Sequence, residues 1–218
     1  MSSFPLDHLV VVEGNIGAGK TTLLEEFARK YPNYTCLSEP IEEFTRFKKR
    51  DGGFLNPLEI FYDDPCNSVL TQLYFLDVYQ KKAEELERQK TSNVVLCDRW
   101  MTSCKVFTDA LCLQGHINSF GEEYFLRKYS LLSQSLTYAK PSGIFFLDTP
   151  KQECLSRLWK RGRAMEADFS DMASHLESLE ISYGKMIKDY NGQCPIHISK
   201  GQTTMELVSE LKNFIDNL

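Results

Sequence analysis

A glycine-rich loop from Gly14 to Thr21 carries the clearest chemistry in the chain. It fits the spacing G-x-x-x-x-G-K-[ST], in which backbone N–H groups surround phosphate oxygens and the lysine reaches the terminal phosphates. Residues 8–13 form a β-branched run typical of a buried strand, and Thr22 to Arg29 has helical spacing, so both flanks suit the motif. The loop predicts a triphosphate site, with an ordinary glycine turn as the alternative. Its binding residues would be Gly14, Asn15, Ile16, Gly17, Ala18, Gly19, Lys20, Thr21 and Thr22.

An acidic and a basic residue follow another predicted strand, at residues 94–97. Asp98 and Arg99 come directly after it, where ligands bind in parallel sheets. A phosphoryl-transferring fold places there the carboxylate that helps to hold Mg²⁺, and here Thr21 would share the ion with Asp98. Arg99 offers a planar fork of donors to a phosphate. The alternative for Asp98 is a cap on the next helix.

Glu39 follows the strand predicted at residues 34–37 and precedes Pro40, which holds it in extended backbone. A carboxylate at this position can accept the proton of an attacking hydroxyl, which is the base role in phosphoryl transfer. Initiation of the following helix is the alternative. We interpret Glu39 as the base.

A basic run lies at the end of a predicted helix and continues into a glycine-broken loop. Arg157 and Arg161 are four residues apart and share a helix face, and Arg163 and Glu166 follow. Such a patch repels itself unless a multivalent anion is present. We therefore predict an arginine-rich lid over about residues 157–170 that closes on the triphosphate, with a solvated basic helix end as the alternative.

Short apolar strands alternate with helical patterns along the rest of the chain. The predicted strands are residues 8–13, 34–37, 94–97, 143–147 and 195–198, and the predicted helices are residues 22–29, 69–89, 102–113, 122–138, 151–160, 172–190 and 204–217. This alternation predicts an α/β fold, one doubly wound domain over residues 1–218 with a five-stranded parallel sheet. Residues 46–65 are the least regular, and we expect a loop there with a short helix near residues 58–61.

Composition narrows the class of protein. The chain has 218 residues and a net charge of −5, which argues against nucleic-acid binding. Its seven cysteines lack metal-binding spacing, so we expect free thiols in a reducing compartment. No apolar run has membrane-spanning length and the first residues resemble no targeting signal, so we expect a cytoplasmic protein, with a nuclear location left open.

With these residues identified, the chain resembles the deoxyribonucleoside kinase family, which includes deoxycytidine, deoxyguanosine and insect multisubstrate kinases and, more distantly, herpesvirus thymidine kinases. The resemblance covers nearly the whole chain. Its specific parts are the extended loop Glu13-Gly-Asn-Ile and the lid pattern R-x-x-x-R-G-R-x-x-E that ends at Glu166. It implies a P-loop kinase that uses ATP and Mg²⁺ to phosphorylate the 5′-hydroxyl of a deoxynucleoside, and a homodimer.

The resemblance also implies roles for individual residues. Catalysis would rest on Glu39 as the base, Arg99 beside it, and the phosphate-binding Lys20, Arg161 and Arg163, while Arg157 would pack near the ATP base. Tyr62 and Glu166 would hold the sugar 3′-hydroxyl, and Gln72 would read the base edge. The substrate-binding set would be Glu39, Phe44, Tyr62, Gln72, Arg99, Cys104, Phe107 and Glu166. The loop at residues 200–204 occupies the place where the family encloses adenine.

The predicted base pocket departs from purine-accepting relatives. Cys104 stands where those members carry an Asp, and Tyr79 replaces an expected Arg. The amide of Gln72 can pair with N3–H and O4 of thymine or, after a flip, with N3 and N4–H₂ of cytosine. We therefore expect thymidine to be preferred, with deoxycytidine second.

Two other functions compete with this one. A thymidylate kinase also has an Asp-Arg pair and an arginine lid, but it needs a cation for the acceptor phosphate, and Ser38 stands where that Arg is common. A non-catalytic nucleotide switch is the second alternative. The chain has no N-K-x-D guanine motif, and it keeps Glu39, Asp98 and the lid arginines.

Overall fold

A computed structural model of the chain describes residues 9–89, 94–162, 172–190, 192–200 and 203–218. The strands in these ranges are β1 (Leu9–Gly14), β2 (Thr35–Leu37), β3 (Phe47–Lys48), β4 (Phe54–Leu55), β5 (Val95–Asp98), β6 (Gly143–Leu147) and β7 (Ile196–Ser199). The α-helices are α1 (Lys20–Lys30), α2 (Ile41–Thr45), α3 (Pro57–Asp63), α4 (Ser68–Gln89), α5 (Met101–Leu113), α6 (Ser119–Ser135), α7 (Lys151–Arg161), α8 (Met172–Tyr190) and α9 (Thr204–Asp216).

The central sheet has five parallel strands in the order β2-β5-β1-β6-β7. β1 lies in the middle and is fully buried, with Val10 and Val12 in the core on one face and Leu9 and Val11 in the core on the other. A strand buried on both faces reads as a continuous apolar run, because helices cover each side. The predicted α/β fold with a five-stranded parallel sheet is confirmed.

The phosphate loop and the other candidate side chains lie at the carboxyl ends of these strands. β1 leads into the loop before α1, β5 ends at Asp98, and Glu39 follows β2. Because the strands are parallel, their carboxyl ends meet at one edge of the sheet, which brings residues distant in sequence together.

The helix predicted at residues 122–138 has different bounds. α6 begins at Ser119, because the Asn118 side chain accepts a hydrogen bond from Gly121 N at 2.9 Å and caps it. It ends at Ser135, since Leu136 is extended. A short 3₁₀ turn, Thr137–Ala139, follows.

Residues 46–65 are more regular than the sequence indicates. β3 and β4 pair as an antiparallel hairpin, and α3 covers the short helix that we expected near residues 58–61. The hairpin turn is closed by Asp51, whose Oδ1 accepts from Gly53 N at 2.9 Å. Phe47, Phe54 and Leu55 are exposed, so the segment is not folded by burial of those side chains.

None of the helices in the described ranges is both long enough and apolar enough to cross a membrane.

Candidate active site

The phosphate loop has the backbone geometry that its glycines allow. Gly14 and Gly17 have positive φ angles of 146° and 81°. A Cβ at Gly14 would lie 2.8 Å from Leu147 O, and one at Gly17 would lie 2.7 Å from Cys154 O. Both neighbours are backbone atoms that cannot yield easily, so only glycine fits at either position.

Lys20 is held inside the loop. Its Nζ donates to Gly14 O at 3.1 Å and to Asn15 O at 2.9 Å, and the side chain is buried. Burial, reinforced by the positive charge of Arg99, lowers the pKa of Lys20 to about 8. A phosphate would supply the negative charge that favours the protonated lysine.

Thr21 and Asp98 meet next to this lysine. Thr21 Oγ1 donates to Asp98 Oδ2 at 2.5 Å. Asp98 is buried, and its other oxygen, Oδ1, has no hydrogen-bond partner within the described ranges. A hydroxyl and a buried carboxylate with an unused oxygen are ligands of the kind that Mg²⁺ prefers, so these two residues fit the ion.

Arg99 is buried between two carboxylates. Its Nε lies 3.4 Å from Glu39 Oε1, and its Nη1 lies 3.9 Å from Glu13 Oε2. Burial alone would lower the pKa of Arg99, but nearby Tyr183, Glu39, Glu13 and Asp98 together raise it, and the guanidinium remains charged. Its backbone has a positive φ of 62°, and its amide donates to Val12 O at 3.2 Å.

Tyr183 on α8 joins Arg99 to Glu13. The tyrosine hydroxyl accepts from Arg99 Nη1 at 2.6 Å and donates to Glu13 Oε2 at 3.1 Å. The other oxygen of Glu13 accepts from the hydroxyls of Thr102 and Ser103, each at 2.7 Å. Glu13 is therefore a fully buried carboxylate that receives three hydroxyl hydrogen bonds.

One cleft of about 360 Å³ brings most of the predicted residues together. That volume lies within the range of small-molecule sites. The predicted residues that line it are Ile16, Gly17, Gly19, Lys20, Thr21, Thr22, Glu39, Phe44, Tyr62, Gln72, Arg99, Cys104, Phe107, Arg157 and Arg161. Gly14, Asn15, Ala18 and Asp98 are buried residues that are not among its lining residues.

The part of the cleft away from the phosphate loop is aromatic and neutral. Phe44 packs against Phe75, with ring centroids 4.1 Å apart, and against Tyr79 at 5.7 Å. Gln72 is buried in this wall and makes no hydrogen bond to another described residue. Burial, together with the charges of Glu13 and Glu39, raises the pKa of Cys104, so its thiol stays neutral.

The basic helix α7 faces the phosphate loop. Arg157 Nη1 donates to Ala18 O at 2.8 Å, and its Nη2 bonds to Glu153. Arg157 and Arg161 both line the cleft, as expected for residues on one helix face. The predicted lid residues Arg163 and Glu166 lie outside the described residues, as does part of the 200–204 loop.

Sequence reasoning missed several residues of the site. Glu13 entered only as part of a motif, although a charged residue at the end of an apolar strand is itself a signal. Tyr183 had no local signal, since it lies 170 residues from Glu13 within an ordinary helical pattern. The apolar wall also includes Ile41, Leu58, Phe61 and Phe75, which the sequence did not single out.

Comparison with known families decides the class of protein. A family model described as deoxynucleoside kinase matches residues 10–217. The chain belongs to the deoxynucleoside kinase family. It is therefore a kinase enzyme that phosphorylates nucleosides.

The relatives of this kinase differ in their stated roles. Deoxycytidine kinase 2 of Gallus gallus is 28% identical over 80% of this chain and 71% of its own length. Subunit 10 of the NADH dehydrogenase 1 alpha subcomplex of Bos taurus is 26% identical over 86% of this chain, and the match spans only 57% of that relative. Family membership at this identity does not name the base that the kinase prefers.

A solved structure has the same fold. Deoxyadenosine kinase from M. mycoides with bound dCTP superposes with a TM-score of 0.77 and covers 96% of this chain and 100% of its own. The two sequences are 18% identical, so the likeness concerns the fold alone.

Proposed function

We propose that this kinase transfers the γ-phosphoryl group of ATP to the 5′-hydroxyl of a pyrimidine deoxynucleoside, as a step of nucleotide salvage. The observation that carries the proposal is the single cleft that contains Lys20 and the phosphate loop, the Glu39–Arg99 pair, and the aromatic wall with Gln72. Glu39 and Arg99 line the same cleft as Lys20 of the phosphate loop and Tyr79 of the wall. The proposal assigns them the region where the phosphates and the nucleoside meet.

Glu39 is the residue suited to accept the proton of the 5′-hydroxyl. As that O–H bond breaks, the 5′-oxygen bonds to the γ-phosphorus and the bond from the γ-phosphorus to its bridging oxygen breaks, which leaves ADP. Arg99, 3.4 Å from Glu39, offsets the negative charge that develops during the transfer. The enzyme contributes positioning and charge more than covalent chemistry.

Thr21 and Asp98 would hold Mg²⁺, which when bound neutralises charge on the phosphate oxygens. The unused Oδ1 of Asp98 and the adjoining hydroxyl of Thr21 support this role. Lys20 would contact the terminal phosphates, and Arg157 and Arg161 would add positive charge from α7. Arg163 belongs to the same proposal from its sequence position, and Glu166 and Tyr62 would hold the sugar.

Thymidine is the substrate that the wall suits best, with deoxycytidine second. Gln72 presents one donor and one acceptor to a base edge. Cys104 and Tyr79 give the wall neutral groups, because burial raises the pKa of both. The described residues of this wall, Phe44, Gln72, Phe75, Tyr79 and Cys104, include no carboxylate, so the wall provides no ionic contact for a purine.

Further parts of the proposal follow from the resemblance. We infer a single kinase domain over residues 1–218, a homodimer, a lid over residues 157–170, and a cytoplasmic location. Sedimentation of the purified chain at two concentrations tests the dimer independently of activity.

The decisive assay mixes the protein with ATP, Mg²⁺ and each of the four deoxynucleosides, and separates the nucleotides by chromatography. We expect thymidine to give TMP with the highest kcat/KM and deoxycytidine to be second. A purine preference would overturn the base assignment alone.

The same assay tests the competing functions when TMP replaces the nucleoside. Formation of TDP from TMP would favour a thymidylate kinase, which Ser38 beside Glu39 argues against. Absence of any product from all four nucleosides would overturn the proposed function.

A further inference from the structure

The Tyr183 hydroxyl is placed between two opposite charges that the fold buries together. Arg99 Nη1 and Glu13 Oε2 lie 3.9 Å apart, which is longer than a direct hydrogen bond. The hydroxyl fills that gap, 2.6 Å from the guanidinium and 3.1 Å from the carboxylate. Burial raises the pKa of Tyr183, so the phenol stays protonated and can donate its hydrogen bond to Glu13.

Glu13 is strongly held in its place. It is fully buried, and Thr102 and Ser103 on α5 donate to its Oε1. Arg99, in contrast, is attracted by two carboxylates, the buried Glu13 and the partly exposed Glu39. In a medium of low dielectric, an arginine beside a buried carboxylate gains much by closing on it.

We propose that Tyr183 is a positioning residue that keeps Arg99 from closing on Glu13 and so holds its guanidinium toward Glu39 and the transferring phosphoryl group. The inference rests on the proposed function for the effect on catalysis. The position of Tyr183 as a spacer between Arg99 and Glu13 does not depend on the proposed function.

The positioning role of Tyr183 depends on the negative charge of Glu13. With Tyr183 present, Glu13 accepts a hydrogen bond from the phenol and stabilises Arg99 indirectly, through a polarised hydroxyl. Without the hydroxyl, the same carboxylate becomes a competitor of Glu39 for the guanidinium. The loss caused by removal of the hydroxyl therefore depends on the charge of Glu13.

The test compares Tyr183→Phe with Tyr190→Phe. Tyr190 lies on the same helix, and its hydroxyl bonds to Tyr129 at 3.0 Å rather than to Arg99. We expect Tyr183→Phe to lower kcat about 10- to 100-fold, because a small displacement of a charged group is costly in phosphoryl transfer. The KM of Tyr183→Phe for the nucleoside should stay within about twofold of the wild-type value, and so should the activity of Tyr190→Phe.

A double-mutant cycle separates positioning from packing. If Tyr183 acts as a spacer, Tyr183→Phe should cost less than about threefold in a Glu13→Gln background, since the neutral amide no longer attracts Arg99. An equal loss in both backgrounds would overturn the proposal. So would a Tyr183→Phe enzyme with wild-type kcat.

A crystal structure of Tyr183→Phe gives a readout that does not depend on turnover. We expect Arg99 Nη1 to move from 3.9 Å into direct contact with Glu13, and Arg99 Nε to move away from Glu39. An unmoved guanidinium would overturn the inference even if the wild-type chain proved inactive. Wild-type inactivity with the expected movement would instead reject the proposed function and keep the spacer.

Discussion

The two ends of the cleft are built in different ways. The backbone of the phosphate end comes from one continuous segment, Gly14 to Thr22, whose geometry is set by glycine conformations. Among the cleft's described lining residues, only the arginines of α7 join it from elsewhere. The base end is assembled from side chains of α2, α3, α4 and α5, which include Phe44, Phe61, Gln72 and Cys104. Phosphate recognition therefore depends on local geometry, whereas base selection depends on packing between distant segments.

This difference predicts separable failures. A change in the loop should act on the donor nucleotide and on folding, whatever acceptor is used. A change in the wall should act on one acceptor and leave the donor alone. Glu39 and Arg99, between the two ends, should affect turnover with either acceptor.

The largest effect is expected from Glu39→Gln. The amide keeps the size of the carboxylate but cannot accept the 5′-hydroxyl proton, so kcat should fall about 10²- to 10⁴-fold with an unchanged melting temperature. Steady-state kinetics with thymidine and deoxycytidine measure it. Glu42→Gln, at an exposed position of α2, the helix that begins two residues after Glu39, should retain wild-type turnover. Comparable rates in the Glu39 variant would remove the base from the mechanism.

Gly17→Ala should damage the donor end. The methyl group would meet Cys154 O at 2.7 Å in a backbone with φ of 81°, and we expect a loss of about 3 kcal/mol in the free energy of unfolding together with weak ATP binding. Denaturant titration and calorimetry of ATP binding test both.

Gly115→Ala is the matched control for that collision. Gly115 has a similar φ of 75°, but an added Cβ would meet no atom within 4 Å. It should cost about 1 kcal/mol from backbone strain alone and leave ATP binding intact. Equal effects at the two glycines would show that conformation, not the crowded loop, matters.

Acid should destabilise the folded protein through α8, the helix that bonds to the phosphate loop. α8 bonds to the phosphate loop through Asn15 Nδ2 and Leu176 O, and it carries His175, whose pKa is lowered to about 4 by burial and by His116 and Arg99. Between pH 6.5 and 4 this histidine is protonated in the unfolded chain but stays neutral in the folded chain. The free energy of unfolding should therefore decrease as the pH is lowered through this window, by up to about 3 kcal/mol.

His175→Gln should remove that part of the pH dependence. The glutamine does not titrate, so the difference between variant and wild type should change across the window and stay constant above it. His197→Gln, at a more exposed ring, is the control. Parallel curves for His175→Gln and wild type from pH 7 to 4 would contradict the assignment.

The smallest effect is expected from Gln72→Leu at the base end. Loss of the amide should reduce kcat/KM for thymidine about 10- to 100-fold and leave the KM for ATP unchanged. Gln80→Leu is a matched control, because Gln80 lies on the same helix but bonds to Glu84. A changed KM for ATP in Gln72→Leu would break the separation between the two ends.

Local sequence patterns predicted much of the fold and of the candidate site, because several candidate residues directly follow strands that the sequence makes recognisable. The parallel sheet, the phosphate loop, and the positions of Glu39 and Asp98 each follow from a few adjacent residues. The hairpin at residues 47–55 was missed, although Asp51-Gly-Gly is a turn signal, since strands of two residues show no periodicity. The start of α6 was missed because its cap, Asn118, lies before the apolar pattern.

The sequence by itself determined the phosphate loop, since glycine conformations and backbone N–H groups act over eight consecutive residues. Only the tertiary structure brought Tyr183 between Arg99 and Glu13, across 84 and 170 residues of sequence. Such a contact leaves no periodic trace, because buried polar partners are chosen by where helices pack and not by their spacing along the chain.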